Sequence, residues 1–193
     1  MPFFIQIFTF STTICYNIKI LNNNNLHLDN LNSFLFICIK KNMSHSLSKI
    51  FIHAVWHIKT TSPQIQKEDR QNLYKYVGGI LKQIECIPIC INGTGNHIHM
   101  FFVLSKNYSL VKVMSTVKIA SSRWLKTIGN HYKNFAWQSG YGAFSVCESI
   151  SERTINYIKK QEEHHKKKNF KEEYLQILKK HHMNFNTDYL FRD

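Results

Sequence analysis

His97 and His99 stand two residues apart, so on an extended segment both imidazoles project from one face and can share a metal ion. Tyr157 and Gln161 stand four apart, which on a helix puts them on one face, a turn from each other. Together these residues supply a metal to polarise a phosphate, an amide oxygen as a further ligand and a hydroxyl nucleophile. That is the equipment for cutting a nucleic-acid strand through a covalent phosphotyrosine. Two imidazoles and one amide oxygen leave positions for water and phosphate oxygens, which suits Mg²⁺ or Mn²⁺ better than a closed structural zinc site. Imidazole also serves zinc. A phenol alone, with a free pKa of about 10, is a weak nucleophile and needs a metal or base beside it.

The elements that must position these groups follow from the periodicity of the chain. Lys49 to Ile58 is rich in β-branched and aromatic residues and reads as a strand, ended by Pro63. Ile65 to Ile84 reads as a helix, with acids early and apolar residues at helical spacing (Leu73, Tyr76, Val77, Ile80, Leu81, Ile84). Gly78-Gly79 weakens that helix without ending it. Cys86 to Ile91 and His97 to Leu104 read as strands joined by the Asn92–Asn96 turn, hence a hairpin that brings His97 in at a strand's start, near the surface. A second helix runs from Ser109-Leu110 to about Ile128, where Gly129-Asn130 stops it. Phe135 to Val146 is turn and strand. A third helix begins at Ser151 with Tyr157 and Gln161 on it, and its end is loose, because the Lys- and Glu-rich stretch through Lys180 is helical too. The order strand–helix–strand–strand–helix–strand is the split βαβ, ferredoxin-like pattern. The expected architecture is α+β: a sandwich of an antiparallel sheet with helices on one face, plus appended C-terminal helices carrying the tyrosine.

The 193 residues carry a formal net charge of +13 with the eleven histidines neutral, which points to a polyanionic partner. A lysine-rich, AT-biased composition would give part of that charge without any partner. Lys159, Lys160 and Lys166-Lys167-Lys168 surround the tyrosine segment and could be a solvated helix face; beside a strand-cutting tyrosine, phosphate contact is the better reading. His164 and His165 read as phosphate or solvent contacts. Arg123 is a candidate phosphate contact, and Trp124 reads as core. The Gly93-Thr94-Gly95 turn is not a P-loop, because no G-x-x-x-x-G-K-[ST] occurs anywhere. A phosphotyrosine conserves the energy of the cut bond, so rejoining needs no ATP.

The five cysteines include no C-x-x-C pair and indicate neither a disulfide framework nor a zinc site, which fits a reducing cytoplasm. Cys86 and Cys90 read as small buried hydrophobes. Residues 1–42 differ in character from the rest. No basic region precedes their first apolar run, and neither apolar run reaches the roughly 18–20 residues of a membrane span. They read as translated upstream or disordered leader sequence before a start at Met43, with a weak membrane-associating leader as the alternative, and residues 43–193 read as one domain large enough for its own core.

Five segments then carry a resemblance: FIHAVWHIK, GNHIHMFF, SLVKVMSTVKIASSRWLK, FAWQSGYGAFSV and INYIKKQEEHHKKK, in this order. From about Met43 onward the chain resembles the small one-tyrosine HUH transposases of bacterial insertion sequences, with the REP-associated tyrosine transposases as close relatives. The resemblance implies that His97 and His99 are the paired metal ligands, Gln161 the third, and Tyr157 the nucleophile. It also implies a homodimer in which the tyrosine helix of one subunit can complete the histidine site of the other. Its DNA would be single-stranded, with hairpins near the element ends, cut to give a 5′-phosphotyrosine and a free 3′-hydroxyl. Many relatives carry an aspartate where this chain has Asn96, so a charge behind His97 is lost. Two alternatives stand beside this reading: a domesticated REP-hairpin processing nickase of the same chemistry, and a non-catalytic ferredoxin-like nucleic-acid-binding module, for which His97, His99 and Tyr157 would be dispensable.

Overall fold

The computed structural model of the protein describes residues 46–191 other than Lys167; the leader expected over residues 1–42, with Cys15 and Cys38, lies outside the described residues. Strand β1 (Phe51–His57) leads into helix α1 (Lys67–Gln83), and β2 (Ile87–Gly93) and β3 (His97–Val103) form a hairpin. They are followed by α2 (Leu110–Ile128) and β4 (Gly142–Val146). The sheet order is β2-β3-β1-β4 and every pairing is antiparallel, which is the split βαβ arrangement read from the sequence.

Alternation along the two central strands decides what each face does. Ile52, Ala54 and Trp56 of β1, with Ile98, Met100 and Phe102 of β3, turn to one side. There they pack against Leu73, Val77 and Leu81 of α1 and Val113, Met114, Val117 and Leu125 of α2. This is the main core, and all of the α1 and α2 residues just named are fully buried. Helix α2 starts at Ser109, whose hydroxyl accepts the Lys112 amide at 3.3 Å. Helix α1 carries Glu68 and Asp69 in its first turn, complementing the dipole, and runs through Gly78-Gly79 unbroken. Truncating Phe102, which has no exposed surface, leaves a cavity between the sheet and these helices. Phe102→Ala is therefore expected to cost about 3–5 kcal/mol, read as a lower urea midpoint at unchanged slope.

His53, Val55 and His57 of β1 and His97, His99 and Phe101 of β3 turn to the other side, paired His57↔His97, Val55↔His99 and His53↔Phe101. The appended C-terminal helices cover this face. The helical stretch from Ser151 to Lys180, whose internal boundaries the sequence left loose, divides into α3 (Ser151–Lys159), the single turn α4 (Gln161–His164) and α5 (Phe170–Lys180), with a further turn α6 (Thr187–Leu190). The break before α5 has a local cause. The Asn169 side chain accepts the Glu172 amide at 2.9 Å, and the Glu172 carboxylate accepts the Asn169 amide at 3.4 Å, a reciprocal cap that starts a new helix. Phe170, Tyr174 and Leu178 then recur one turn apart and pack on Val55 and Phe144 as a second, smaller cluster. Gly142 permits this approach: a Cβ there would lie 2.9 Å from the Tyr174 ring. Helix α5 thus folds back over the histidine face.

Among the described residues, Cys86 is buried, Cys90 half-buried and Cys147 exposed. No described helix is long and apolar enough to cross a membrane.

Candidate active site

The Asn92–Asn96 turn sets the position of His97. A Cβ at Gly93 would collide with the His97 carbonyl oxygen and sit 2.9 Å from the Ile98 Cα, so only glycine lets the turn close this tightly. Asn96 Oδ1 lies 2.7 Å from His97 Nδ1, and the Thr94 hydroxyl, 2.9 Å from the same nitrogen, donates to Asn96 Oδ1 at 2.9 Å. An amide oxygen can only accept, so this network places the proton of a neutral His97 on Nδ1 and leaves Nε2 as a bare lone pair. Asn96 therefore keeps the orienting hydrogen bond that an aspartate would make, without its charge.

His99 is held from the opposite direction. Its Nδ1 is 2.9 Å from His53 Nε2 and the two rings stack, with centroids 5.2 Å apart. Its Nε2 is buried without a hydrogen-bond partner, and a Glu173 oxygen, Oε2, stands 3.7 Å away. His97 and His99 are both fully buried, although the sequence placed the pair near the surface; the helices α3 to α5 account for the difference.

Tyr157, half-buried on α3, approaches the same point, its ring 5.8 Å from that of His99 and edge-on to it. Gln161 follows the break at Lys160, so the pair does not share one continuous helix, yet both side chains reach the site. Gln161 Oε1 is 3.2 Å from His97 Nε2, while its Nε2 donates to Glu173 Oε1 at 3.0 Å. The Tyr157 hydroxyl donates to the same Glu173 oxygen. The structure therefore brings His97, His99, Tyr157 and Gln161 together within one chain, a pairing that the resemblance left open between one subunit and two.

Glu173 is the residue that the sequence reading missed. It is 2% exposed and lies at the centre of the cluster, delivered by the first turn of α5. The capping pattern Asn169-x-x-Glu172 ahead of Phe170, Tyr174 and Leu178 was the available signal that a new helix starts there. His165 also turns inward, its Nε2 2.8 Å from Glu173 Oε2 and 3.1 Å from Gln161 Oε1, and the buried His164 Nε2 stands 3.7 Å from Glu173 Oε1. Both were expected to face phosphate or solvent. Lys159, Lys160 and Lys166 are exposed around the rim. Arg123 is exposed on α2, across the sheet from the histidines, in a groove it shares with Lys118, Lys126 and Trp137. Trp124 is partly buried against the main core and stacks on Tyr76 at 5.0 Å.

The electrostatics follow from burial. Burial and the neighbouring His99 push His97 well below the ordinary imidazole value, against the pull of Glu173. Burial, with His99 beside it, pushes His53 down to about 3. Burial raises the Glu173 carboxyl, but His99 and the hydrogen bonds from Tyr157 and Gln161 outweigh it and hold the group below the usual carboxylate range. Burial and the Glu173 carboxylate push the Tyr157 phenol well above its ordinary value.

These groups fit a cation. His97 Nε2 and Gln161 Oε1 face each other at 3.2 Å as two acceptors, with the unpartnered His99 Nε2 and a carboxylate oxygen beside them. His97, His99 and Glu173 each offer a ligand atom within 4.8 Å of the others. Donor atoms on one divalent ion at about 2.1 Å stand roughly 3–4 Å from each other.

Without metal, this arrangement makes stability pH-dependent. His53 and His97 have folded values below their unfolded value of 6.5, so their contribution is complete above pH 6.5 and is lost as pH falls toward the folded values. The thermal midpoint of metal-free protein is expected to fall steadily from pH 6.5 downward, by about 2–4 °C for each kcal/mol lost. A midpoint flat from pH 7 to 4.5 would contradict it.

A four-stranded antiparallel sheet presenting two buried imidazoles to a helix-borne tyrosine defines the class, and comparison with known proteins gives it a name. The sequence model of the family "Transposase IS200 like" matches residues 46–161, more than half of the chain. The chain belongs to the IS200-like transposase family, proteins of DNA cleavage and strand transfer. Among solved structures it is similar to a candidate transposase from Deinococcus radiodurans R1, at 17% identity and a TM-score of 0.49, covering 63% of this chain and 97% of that one. It is also similar to a REP-associated tyrosine transposase bound to a REP hairpin, at 11% identity and a TM-score of 0.49, covering 65% and 73%. A search of curated proteins found no match.

Proposed function

We propose that this transposase binds hairpins at insertion-sequence ends and cuts and rejoins single-stranded DNA beside them through a 5′-phosphotyrosine on Tyr157. His97, His99 and Gln161 would hold a divalent ion, Mg²⁺ or Mn²⁺. The observation that carries the reading is the convergence of a tyrosine hydroxyl on a buried cluster in which His97 Nε2 faces Gln161 Oε1 and His99 Nε2 has no hydrogen-bond partner. Tyr157 Oη gives up its proton and attacks the scissile phosphorus, the bond to the 3′ oxygen breaks, and that oxygen takes up one proton and leaves as a hydroxyl, so that the step is balanced. Attack by a 3′-hydroxyl on the phosphotyrosine reverses these steps and rejoins the strand. A divalent ion in this position supplies Lewis-acid polarisation of the phosphate and orients it.

The residues of this chain do the rest. Thr94 and Asn96 fix the tautomer of His97, and His53 orients His99. Glu173 accepts the Tyr157 proton in a hydrogen bond and so aims the hydroxyl into the site. Lys159, Lys160 and Lys166 at the rim are suited to hold phosphates on either side of the cut. Arg123, on the opposite face, can touch only DNA that wraps beyond the site. A homodimer remains part of the reading, although one chain brings the tyrosine to its own histidines.

The test is incubation with a labelled single-stranded element end and Mg²⁺. A covalent protein–DNA adduct that survives a denaturing gel is expected, with the label retained on the 5′-phosphate side. Hairpin binding without any adduct would instead support the non-catalytic module.

A further inference from the structure

The family match ends at Gln161, and the carboxylate at the centre of the cluster comes twelve residues later, from a helix beyond the matched segment. Glu173 is a costly residue to bury. A carboxylate with 2% exposure is held only where hydrogen bonds or a cation offset its lost hydration. Its Oε1 is satisfied by Tyr157 and Gln161. Its Oε2 receives His165 at 2.8 Å and points at two further imidazole nitrogens, His97 Nε2 at 3.8 Å and His99 Nε2 at 3.7 Å. Those two distances are too long for hydrogen bonds and match the edges of a coordination shell. His99 Nε2 has no hydrogen-bond partner.

We infer that Glu173 is a direct ligand of the divalent ion, so that this chain holds its metal with two histidines and a carboxylate, Gln161 adding an amide oxygen to that set. The inference rests on the reading that His97 and His99 bind a metal, and it adds an anionic ligand from outside the family's matched segment. A two-imidazole, one-carboxylate set with open positions selects first-row transition ions, Mn²⁺, Fe²⁺, Co²⁺ or Zn²⁺, over Mg²⁺. One carboxylate would then join the two halves of the site, with Oε2 on the metal and Oε1 on the nucleophile's hydroxyl. His165, bonded to Oε2, is a positioning residue that fixes the carboxylate's rotation.

The test reads metal binding directly, without DNA. The full chain, freed of metal, is titrated with Co²⁺ and its visible d–d bands are followed, then with Mn²⁺ by loss of the free-ion EPR signal. Wild type should bind both far more tightly than Mg²⁺, read by competition. Glu173→Gln keeps the size and the hydrogen-bonding shape but loses the charge; it should bind at least about 10-fold more weakly, with shifted Co²⁺ bands. Glu173→Asp withdraws the carboxylate by one methylene and should shift the bands with a smaller loss, which decides the matter if the Gln variant fails to fold. Unchanged affinity and bands in the folded variants would overturn the role of Glu173 while leaving the histidine site standing, provided His97→Ala abolishes binding. Unchanged binding in His97→Ala would overturn both.

Discussion

Tyr157→Phe is expected to remove covalent DNA attachment completely, a loss on the order of 10⁴-fold or more in strand cutting, while hairpin binding persists. The substitution deletes one oxygen and keeps the ring. Its edge contacts with His53, at 6.1 Å, and His99, at 5.8 Å, therefore remain. Glu173 Oε1 loses the tyrosine's bond but keeps that of Gln161, so no buried acceptor is orphaned and the fold should lose no more than about 1 kcal/mol. A loss of cutting with unaltered melting and hairpin affinity would isolate the chemistry from the scaffold. Cutting retained by the phenylalanine variant would falsify the nucleophile assignment, because among the described residues Tyr157 alone brings a hydroxyl to Glu173. His164 and His165, also inside, would be the next nucleophiles to examine.

The second large effect falls on His97. His97→Ala removes a proposed ligand whose Nε2 faces Gln161 and whose Nδ1 is fixed by Asn96, so it dismantles the site at its most constrained point. Metal binding should weaken at least about 100-fold and metal-dependent cutting should disappear. Full activity of the wild type in EDTA would refute the role given to the metal. The variant should still fold, because the main core on the other face of the sheet does not include His97. It should also be less sensitive to acid, since one of the two imidazoles buried in neutral form is gone.

Much of this was legible in the chain. Alternation along FIHAVWH and HIHMFFV fixes both the strands and the face each residue takes, and the helical spacing of Leu73, Val77, Ile80 and Leu81 fixes α1. The pairing of His97 with a downstream tyrosine rests on motif order, which is local information. What was not legible is the path of the chain after Lys160. The run Gln161 to Lys180 is rich in strong helix formers, so propensity reads it as helical without fixing where one helix ends and the next begins. The Asn169 cap and the apolar triplet Phe170, Tyr174 and Leu178 decide that, because a folded-back helix can bury that triplet on Val55 and Phe144. Glu173 had no signal of its own: an acid in the first turn of a helix is ordinarily solvated, and only the fold-back makes it an interior residue. The burial of His97 and His99 was missed for the same reason.

The strict alternation of β3 has a last consequence. Ile98, Met100 and Phe102 go into hydrocarbon on one side while His97 and His99 meet Gln161 and Glu173 on the other. Shifting β3 against β1 by a single residue would exchange these sets, driving two imidazoles into an oily interior and leaving three large apolar groups among polar partners. Such a molecule could neither pack nor take up an ion. If the proposed ion is held here, the site doubles as an assembly check: only a chain that has closed its sheet in this register would present the two imidazoles to Gln161 and Glu173.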